Sequence, residues 1–366
     1  MKRVLHISSG GLTPGGVGSV IFSIVESLHE EVSFDCVVFN RIGQREEEFK
    51  EYGELHRIHC YPKKGKRDYL ELLLRPLKLY FGMRRICKSR QYDVIHCHNQ
   101  HDAWPCLLAA KHAGVPVRIS HAHVGIDGRK RSPIEAKLKK NALRLLNKYA
   151  TLRVACSAEA GRLLFGDNEF VLIPNCVDLS KYTRKGDVPE DMAFVHVGRY
   201  TYSKNQEFVL ESFAEICKDF PEAHLYLIGY GEAFEVDRLK GIIEKLGIED
   251  RVEMVPGDVA DIPSYYERSR YMIFPSRFEG FGIVLIEAQA MNIECYASEV
   301  IPKEADVGLL HFMDLSDGPR AWAERIVADI KNGTGLTLDK ERLSQYSNET
   351  ISKRYAAIYN GESESV

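Results

Sequence analysis

Short runs of aliphatic and β-branched residues recur along the chain, and between them apolar residues return every three or four positions. The first run is residues 2–8, KRVLHIS. A glycine-rich turn from Gly10 to Ser19 follows, and VIFSIVESLHE then places Val20, Ile21, Ile24, Val25 and Leu28 at helical spacing. Strand, glycine loop and helix in that order open a βαβ unit. Strand candidates recur at SFDCVVFN, YDVIHCH, VRIS and RVACS, with helical segments between several of them. Alternation of this kind predicts a mostly parallel sheet covered by helices.

The pattern restarts near residue 192. MAFVHVGRY, HLYLIG, VEMVPG and YMIFPS read as strands; QEFVLESFAEICKDF, the segment ending in GIIEKLGIEDR, ADIPSYYERS and FGIVLIEAQAMN read as helices. Residues 173–191, IPNCVDLSKYTRKGDVPED, hold two prolines and read as a linker. The expectation is an α/β protein of two doubly wound, Rossmann-like domains with a cleft between them. The first covers residues 1–183, the second residues 184–345, and a C-terminal helix at 346–366 returns to the first domain. Ligands of such sheets bind beyond the carboxyl ends of the strands, so the loops after the strands are where chemistry is expected.

Composition narrows the class. A chain of 366 residues with 45% hydrophobic and 28% charged residues is neither disordered nor collagen-like. No apolar run reaches the ~18 residues of a membrane span. The apolar start is broken by His6 and ends in a Ser-Gly turn, so it reads as a buried strand and not as a signal peptide. Nine cysteines without a CxxC pair read as free thiols in a reducing, cytoplasmic setting. Net charge is only −3, but residues 1–180 carry 28 Lys+Arg against 19 Asp+Glu, and the remainder 21 against 33. The basic first half is therefore expected to meet something anionic: a lipid surface, an anionic acceptor or nucleic acid.

The densest candidate chemistry lies in FPSRFEGFGIVLIEAQA, residues 274–290. A strand ends at Pro275 and Ser276, a loop carries Glu279, and a helix starts near Gly282 and carries Glu287. N–H groups at a helix start reached through glycines suit a phosphate. The two glutamates are too far apart to share one reacting point; one suits a sugar hydroxyl and the other a ribose. Arg199 and Lys204 follow the strand FVHV, and a planar guanidinium with a mobile ammonium suits a diphosphate. Gly15, Gly16, Val17 and Gly18 precede the first helix. A dinucleotide fingerprint would need an acidic ribose ligand further on, and Asp35, the residue at that distance, lies inside a strand-like run. An oxidoreductase is thus disfavoured.

Histidines crowd two strand ends: His96, His98 and His101 in HCHNQH, and His121 and His123 in SHAH. A metal cluster with Cys97 or Asp102 is disfavoured, because adjacent strand positions point to opposite faces. His96 and His101 read as structural hydrogen-bonding residues. Two basic segments, residues 69–90 and 129–148, combine cations with leucines. On the second, Lys137, Lys140, Arg144 and Lys148 share one helix face while Ile134, Leu138, Leu145 and Leu146 share another. Such a helix packs on its own core or attaches reversibly to an anionic membrane. No nucleic-acid motif accompanies the charge, so nucleic acid is disfavoured.

The Glu279–Glu287 spacing inside PSRFEGFGIVLIEA resembles the signature of the large retaining glycosyltransferase family that uses the GT-B fold. FVHVGRYTYSKNQEFVLESF, LYLIGYGEAFEVDRLKGIIEKLGIEDRVEMVPGDVADIPSYYERS, IPNCVDLSKY and GGVGSVIFSIVESL are similar to that family over roughly 300 residues. ASEVIPKEADVG resembles its capsule and exopolysaccharide branch, although Met291, Asn292, Ile293 and Glu294 stand where relatives carry Cys-Gly-Pro or Gly-Leu-Pro.

The resemblance implies transfer of a hexose or N-acetylhexosamine, with retention, from a nucleotide sugar. UDP is expected as the nucleotide, with a lipid-linked or growing surface glycan as acceptor. It implies that Arg199 and Lys204 bind the diphosphate, that Phe281, Gly282 and Ile283 offer N–H groups to the distal phosphate, and that Glu287 holds the ribose. Glu279 and either His121 or His123 would hold the sugar, Gly16 and Gly18 would face it, and the base would lie near Met254 and Val255. No metal is expected, because cations and helix-start N–H groups can neutralise the leaving diphosphate. A nucleotide-sugar epimerase and a non-catalytic nucleotide-sugar-binding subunit share these features and stay open.

Overall fold

The computed structural model describes residues 1–13, 16–39, 42–60, 69–123, 132–257, 259 and 261–362, without the side chains of residues 69–73. It divides into two compact units, Met1–Cys176 with Asn348–Val366, and Val177–Ser347.

In unit 1 the strands are β1 (Lys2–Ser8), β2 (Val32–Val38), β3 (Leu55–Arg57), β4 (Val94–Cys97), β5 (Val117–Ala122), β6 (Leu152–Ala155) and β7 (Val171–Leu172). They form one parallel sheet in the order β3-β2-β1-β4-β5-β6-β7. The helices are α1 (Val17–Leu28), α2 (Glu46–Phe49), α3 (Tyr69–Ser89), α4 (Trp104–His112), α5 (Pro133–Tyr149) and α6 (Ala158–Phe165). A parallel sheet is covered on both faces, which is why the last five residues of β1 and of β2 are all buried. Val4, Phe34, Val94, Ile119 and Val154 share one core with Ile21, Ile24 and Val25 of α1.

Unit 2 holds β8 (Ala193–Val197), β9 (His224–Gly229), β10 (Val252–Pro256), β11 (Tyr271–Phe274), β12 (Glu294–Ser298) and β13 (Leu310–Met313). Its sheet is also parallel, in the order β10-β9-β8-β11-β12-β13. Its helices are α7 (Gln206–Ile216), α8 (Ala233–Leu246), α9 (Ile262–Glu267), α10 (Ile283–Ala290), α11 (Gly318–Asn332) and α12 (Lys340–Ser344). Trp322 of α11 packs edge-on against Phe208 of α7 over the core residues Phe194, Leu225 and Ile273. The chain then ends in α13 (Asn348–Asn360), whose Ile351, Tyr355, Ile358 and Tyr359 complete the core of unit 1 beside α1.

The chain enters unit 2 at Val177, earlier than the expected boundary at residue 184. Arg184 shows why. Its guanidinium donates to four backbone carbonyls of unit 2, those of Met291, Glu267, Tyr266 and Ser269, at 2.6–2.9 Å. Four bonds to charged nitrogens hold the stretch before β8 on that unit.

Candidate functional site

Two loops of unit 2 meet beyond the carboxyl ends of β8 and β11. Gly198 follows β8, and Arg199 and Lys204 lie in the turn that leads to α7. Asn205 ends that turn in the left-handed region (φ 60°), and its side-chain amide donates to the Pro275 carbonyl at 3.1 Å. Arg277 N–H donates to the Ser203 carbonyl at 2.7 Å, and its guanidinium to the Tyr202 carbonyl at 2.8 Å. The Gln206 amide closes the first turn on the Arg199 carbonyl at 2.8 Å. These bonds fasten the 198–205 and 275–282 loops to each other.

Lys204 and Glu279 form an ion pair across that seam, with most of both side chains covered. The Lys204 ammonium also lies over the Phe274 ring, 4.8 Å from its centroid. Arg199 is exposed and has no side-chain partner among the described residues. Phe281 is buried, and Gly282 precedes α10 at φ 87°, a conformation that disfavours any side chain. No side chain caps α10 and no acidic residue stands in its first turn, so N–H groups at its start are offered outward. The structure therefore brings Lys204, Glu279, Phe281, Gly282 and Ile283 together.

Glu287 lies further along α10. The Tyr266 hydroxyl donates to its Oε2 at 3.5 Å and Tyr182 is a second hydroxyl partner. Burial pushes its carboxyl up to about 7, against the opposing pull of those two hydroxyls. Tyr182 and Tyr266 were not legible as site residues, since one lies in the linker and the other in a short helix without a motif. Met254 and Val255 lie near the end of β10, two strands away from β8 in the sheet.

In unit 1 the structure corrects the reasoning applied to the histidines. His96 and His98 are two positions apart, as are His121 and His123, so each pair shares a face. His6 is in register with His96 across β1 and β4 and joins them. His6 Nδ1 lies 3.0 Å from His98 Nε2, His98 Nδ1 lies 2.7 Å from His123 Nε2, and His96 Nε2 lies 3.1 Å from His121 Nδ1. His96 Nδ1 reaches the Tyr359 hydroxyl at 2.9 Å. Burial lowers the pKa of all five imidazoles, to about 3 for His6 and His123, so they are neutral at pH 7. His6 Nε2, His121 Nε2 and His123 Nδ1 are buried without a partner. An unsatisfied buried polar atom costs about 1–3 kcal/mol, so the cluster is not an arrangement that packing alone would favour. His101 stays outside it, half-buried and 3.8 Å from Asp102.

Of the first glycine loop, Gly15 lies outside the described residues. Gly16 precedes α1 at φ 58° with open space around it. Gly18 is buried in the first turn of α1, where a Cβ would stand 2.1 Å from the Thr13 carbonyl oxygen. Close approach of the loop to the helix is thus enough to require glycine there.

The basic helices differ from a simple amphipathic reading. α5 begins with a reciprocal cap between Ser132 and Glu135, but only Leu146 is buried. Ile134 and Leu138 are 74% and 61% exposed, beside Lys137, Lys140 and Arg144. On α3, Leu77 and Phe81 are exposed as well. Both helices pack on α4. Arg129, Lys130 and Arg131 lie outside the described residues. No helix among the described residues is long and apolar enough to cross a membrane.

Two parallel Rossmann-like units, with two loops fastened together beyond the strand ends of the second, define a GT-B protein. Residues 14–181 match the model of Glycosyltransferase Family 4 and residues 181–307 that of Glycosyl transferases group 1. The chain is a glycosyltransferase. It is 28% identical to the putative glycosyltransferase EpsF of Bacillus subtilis, over 89% of this chain and 87% of that protein. It is 25% identical to the capsular polysaccharide biosynthesis glycosyltransferase CapH of Staphylococcus aureus, over 89% and 90%. An Escherichia coli UDP-Gal:alpha-D-GlcNAc-diphosphoundecaprenol alpha-1,3-galactosyltransferase is 25% identical over 62% of this chain and 63% of its own. Among solved structures, HepE of Anabaena in complex with UDP superposes with a TM-score of 0.78 at 19% identity, covering 99% of this chain and 100% of that one.

Proposed function

We propose that this glycosyltransferase moves a sugar from a UDP-sugar, with retention, to a lipid-linked or growing surface glycan. The observation that carries the reading is the Lys204–Glu279 pair, held where two fastened loops meet beside the uncapped start of α10. Lys204 and the exposed Arg199 take the diphosphate, and N–H groups around Ile283 take its distal phosphate. The donor then exchanges the Lys204–Glu279 pair for two of its own contacts: the ammonium turns to phosphate, and the freed carboxylate accepts from a sugar hydroxyl. Glu287 accepts from the ribose, steadied by Tyr182 and Tyr266, and Val255 lies along the base.

The glycosidic bond to the diphosphate breaks as the acceptor hydroxyl forms the new bond on the same face. The acceptor proton passes to an oxygen of the leaving phosphate. Neither glutamate acts as a base; Glu279 and His121 or His123 orient the sugar while positive charge develops on it. The diphosphate is neutralised by Lys204, Arg199 and backbone N–H groups, without a metal ion on it.

The relatives support the choice of donor and acceptor: one solved neighbour is a UDP complex, and one relative is named for a UDP-galactose donor and a diphosphoundecaprenol-linked acceptor. The exposed apolar and cationic residues of α3 and α5 support a peripheral approach to an anionic membrane from the cytoplasmic side. The test is a panel of UDP- and GDP-sugars with and without polyprenyl-diphosphate-linked acceptors, following nucleotide release and the anomeric configuration of the product. Release that needs a UDP-sugar and such an acceptor, with an unchanged anomer, is expected. Conversion of the donor without acceptor would indicate an epimerase, and binding without turnover a partner subunit.

A further inference from the structure

The histidine cluster of unit 1 is a chain of neutral imidazoles in which each link consumes one proton and one lone pair. Among the tautomer sets that satisfy every link is one that leaves lone pairs for a ligand. His121 donates through Nδ1 to His96 Nε2, and His96 donates through Nδ1 to the Tyr359 hydroxyl. His98 donates through Nε2 to His6 Nδ1. His98 Nδ1 then carries a lone pair, so its 2.7 Å link is completed by the His123 Nε2–H, and the lone pairs left free are those of His121 Nε2 and His123 Nδ1. His98, His121 and His123 each offer one ring nitrogen within 4.8 Å of the other two. His121 Nε2 and His123 Nδ1 are buried and have no other partner.

We propose that His98, His121 and His123 bind one zinc-class divalent metal ion, with His6 and His96 as the outer imidazoles that orient them. Three neutral imidazoles with an open fourth position are a zinc ligand set, and the absence of a carboxylate from the trio disfavours magnesium and calcium. Zinc–nitrogen bonds of about 2.0–2.1 Å place tetrahedral ligands about 3.3 Å apart, so ligand atoms that lie within 4.8 Å of one another draw together by up to about 1.5 Å, within the reach of ring rotation. Binding breaks the 2.7 Å His98–His123 hydrogen bond, which frees the His98 Nδ1 lone pair for the ion, while His123 ligates through its unpartnered Nδ1 and every ring keeps its one proton. The outer bonds have the form that metal-ligating histidines use, the second ring N–H donated to a fixed acceptor. His123, the least buried of the three, marks the side from which an ion enters. This inference does not rest on the donor reading, because the ligands lie in unit 1 and the binding needs no nucleotide.

The experiment is equilibrium dialysis of the metal-stripped full chain against ZnCl2 in the absence of nucleotide, with elemental analysis. One zinc per chain is expected for the wild type and for His101→Ala, which removes a half-buried histidine outside the cluster. His98→Gln and His121→Gln should each lose more than about 100-fold in affinity, and His6→Phe about 10–100-fold, the usual effect of removing an outer partner. Should a variant unfold by circular dichroism, cobalt substitution of the wild type decides: ligand-field bands of a four-coordinate, nitrogen-ligated Co2+ are expected. No bound zinc in the wild type, equal zinc in wild type and His121→Gln when both are folded, or a six-coordinate cobalt spectrum overturns the site. The cluster would then be a hydrogen-bonded relay only.

Discussion

Glu287 ties the local physics of one side chain to the proposed binding of a nucleotide. Its carboxyl is raised to about 7 by burial, so the folded protein holds the proton more tightly than the unfolded chain. Stability from this group is therefore full below about pH 4.5 and is lost as pH rises through about 7, a difference of roughly 3 kcal/mol. Glu287→Gln should accordingly raise the melting temperature at pH 8 and leave it nearly unchanged at pH 5, read by calorimetry. A ribose hydroxyl donates best to the ionised form, so UDP should bind more tightly as pH rises from 6 to 8 and release a proton at pH 6. In Glu287→Gln the affinity should be lower and flat over that range; an unaltered pH profile would remove the carboxylate from the nucleotide site. Glu279 faces Lys204 instead, and its change to Gln should reduce turnover more than UDP affinity. Lys204→Ala and Arg199→Ala should each weaken UDP binding by about 1.5–3 kcal/mol, the value of a hydrogen bond to a charged group. Titration calorimetry with UDP separates these from the glutamate variants.

At the scale of the element, what the sequence showed and what it hid have separate physical causes. β1, β2, β8 and β11 are buried on both faces, so their apolar runs announce them. β12 and β13 do not, because β12 opens on Glu294 just after the Asn292 turn (φ 55°) and β13 carries the partly polar sequence Leu-His-Phe-Met. The donor loops were legible because strand, glycine and helix are adjacent in the chain. The histidine cluster was not, because it depends on His6 lying in register with His96 across a pairing that spans 90 residues of sequence. Periodicity within one strand says nothing about its neighbour. Likewise the stripe on α5 was visible, but not that Ile134 and Leu138 would stay uncovered. The first glycine loop offers a test at this scale. Gly18→Ala drives a Cβ into the Thr13 backbone and should cost about 1–3 kcal/mol, as overpacking does. Gly16→Ala meets open space but must hold φ 58° and ψ −127°, a pairing essentially confined to glycine, at about 1–3 kcal/mol. Thermal denaturation should show a loss for each, from crowding at Gly18 and from backbone strain at Gly16. No loss at Gly18 would mean that the loop moves freely against α1.

For the whole molecule, the distribution of charge and of exposed apolar surface has to be explained together. Residues 1–180 carry the excess of cations, and the later part carries the excess of carboxylates. On unit 1, α3 and α5 both pack on α4, and they leave Leu77, Phe81, Ile134 and Leu138 exposed among lysines and arginines. A helix that merely covered a core would bury its apolar stripe, whereas α5 buries Leu146 alone. An apolar stripe flanked by cations suits the boundary of an anionic bilayer, where each Lys or Arg near the surface contributes about 1 kcal/mol within a Debye length. The protein should therefore sediment with anionic vesicles at low salt and be released as salt is raised. Neutral vesicles should retain much less. Reversing Lys137, Lys140 and Arg144 to Glu should abolish sedimentation while leaving UDP affinity unchanged, because the proposed nucleotide residues all lie in unit 2. Ile134→Ser with Phe81→Ser should weaken binding at every salt concentration, since the apolar contribution is not screened. Equal recovery in the supernatant with anionic and neutral vesicles at low salt would show that these cations only solvate the helix. The acceptor would then have to reach the enzyme from solution.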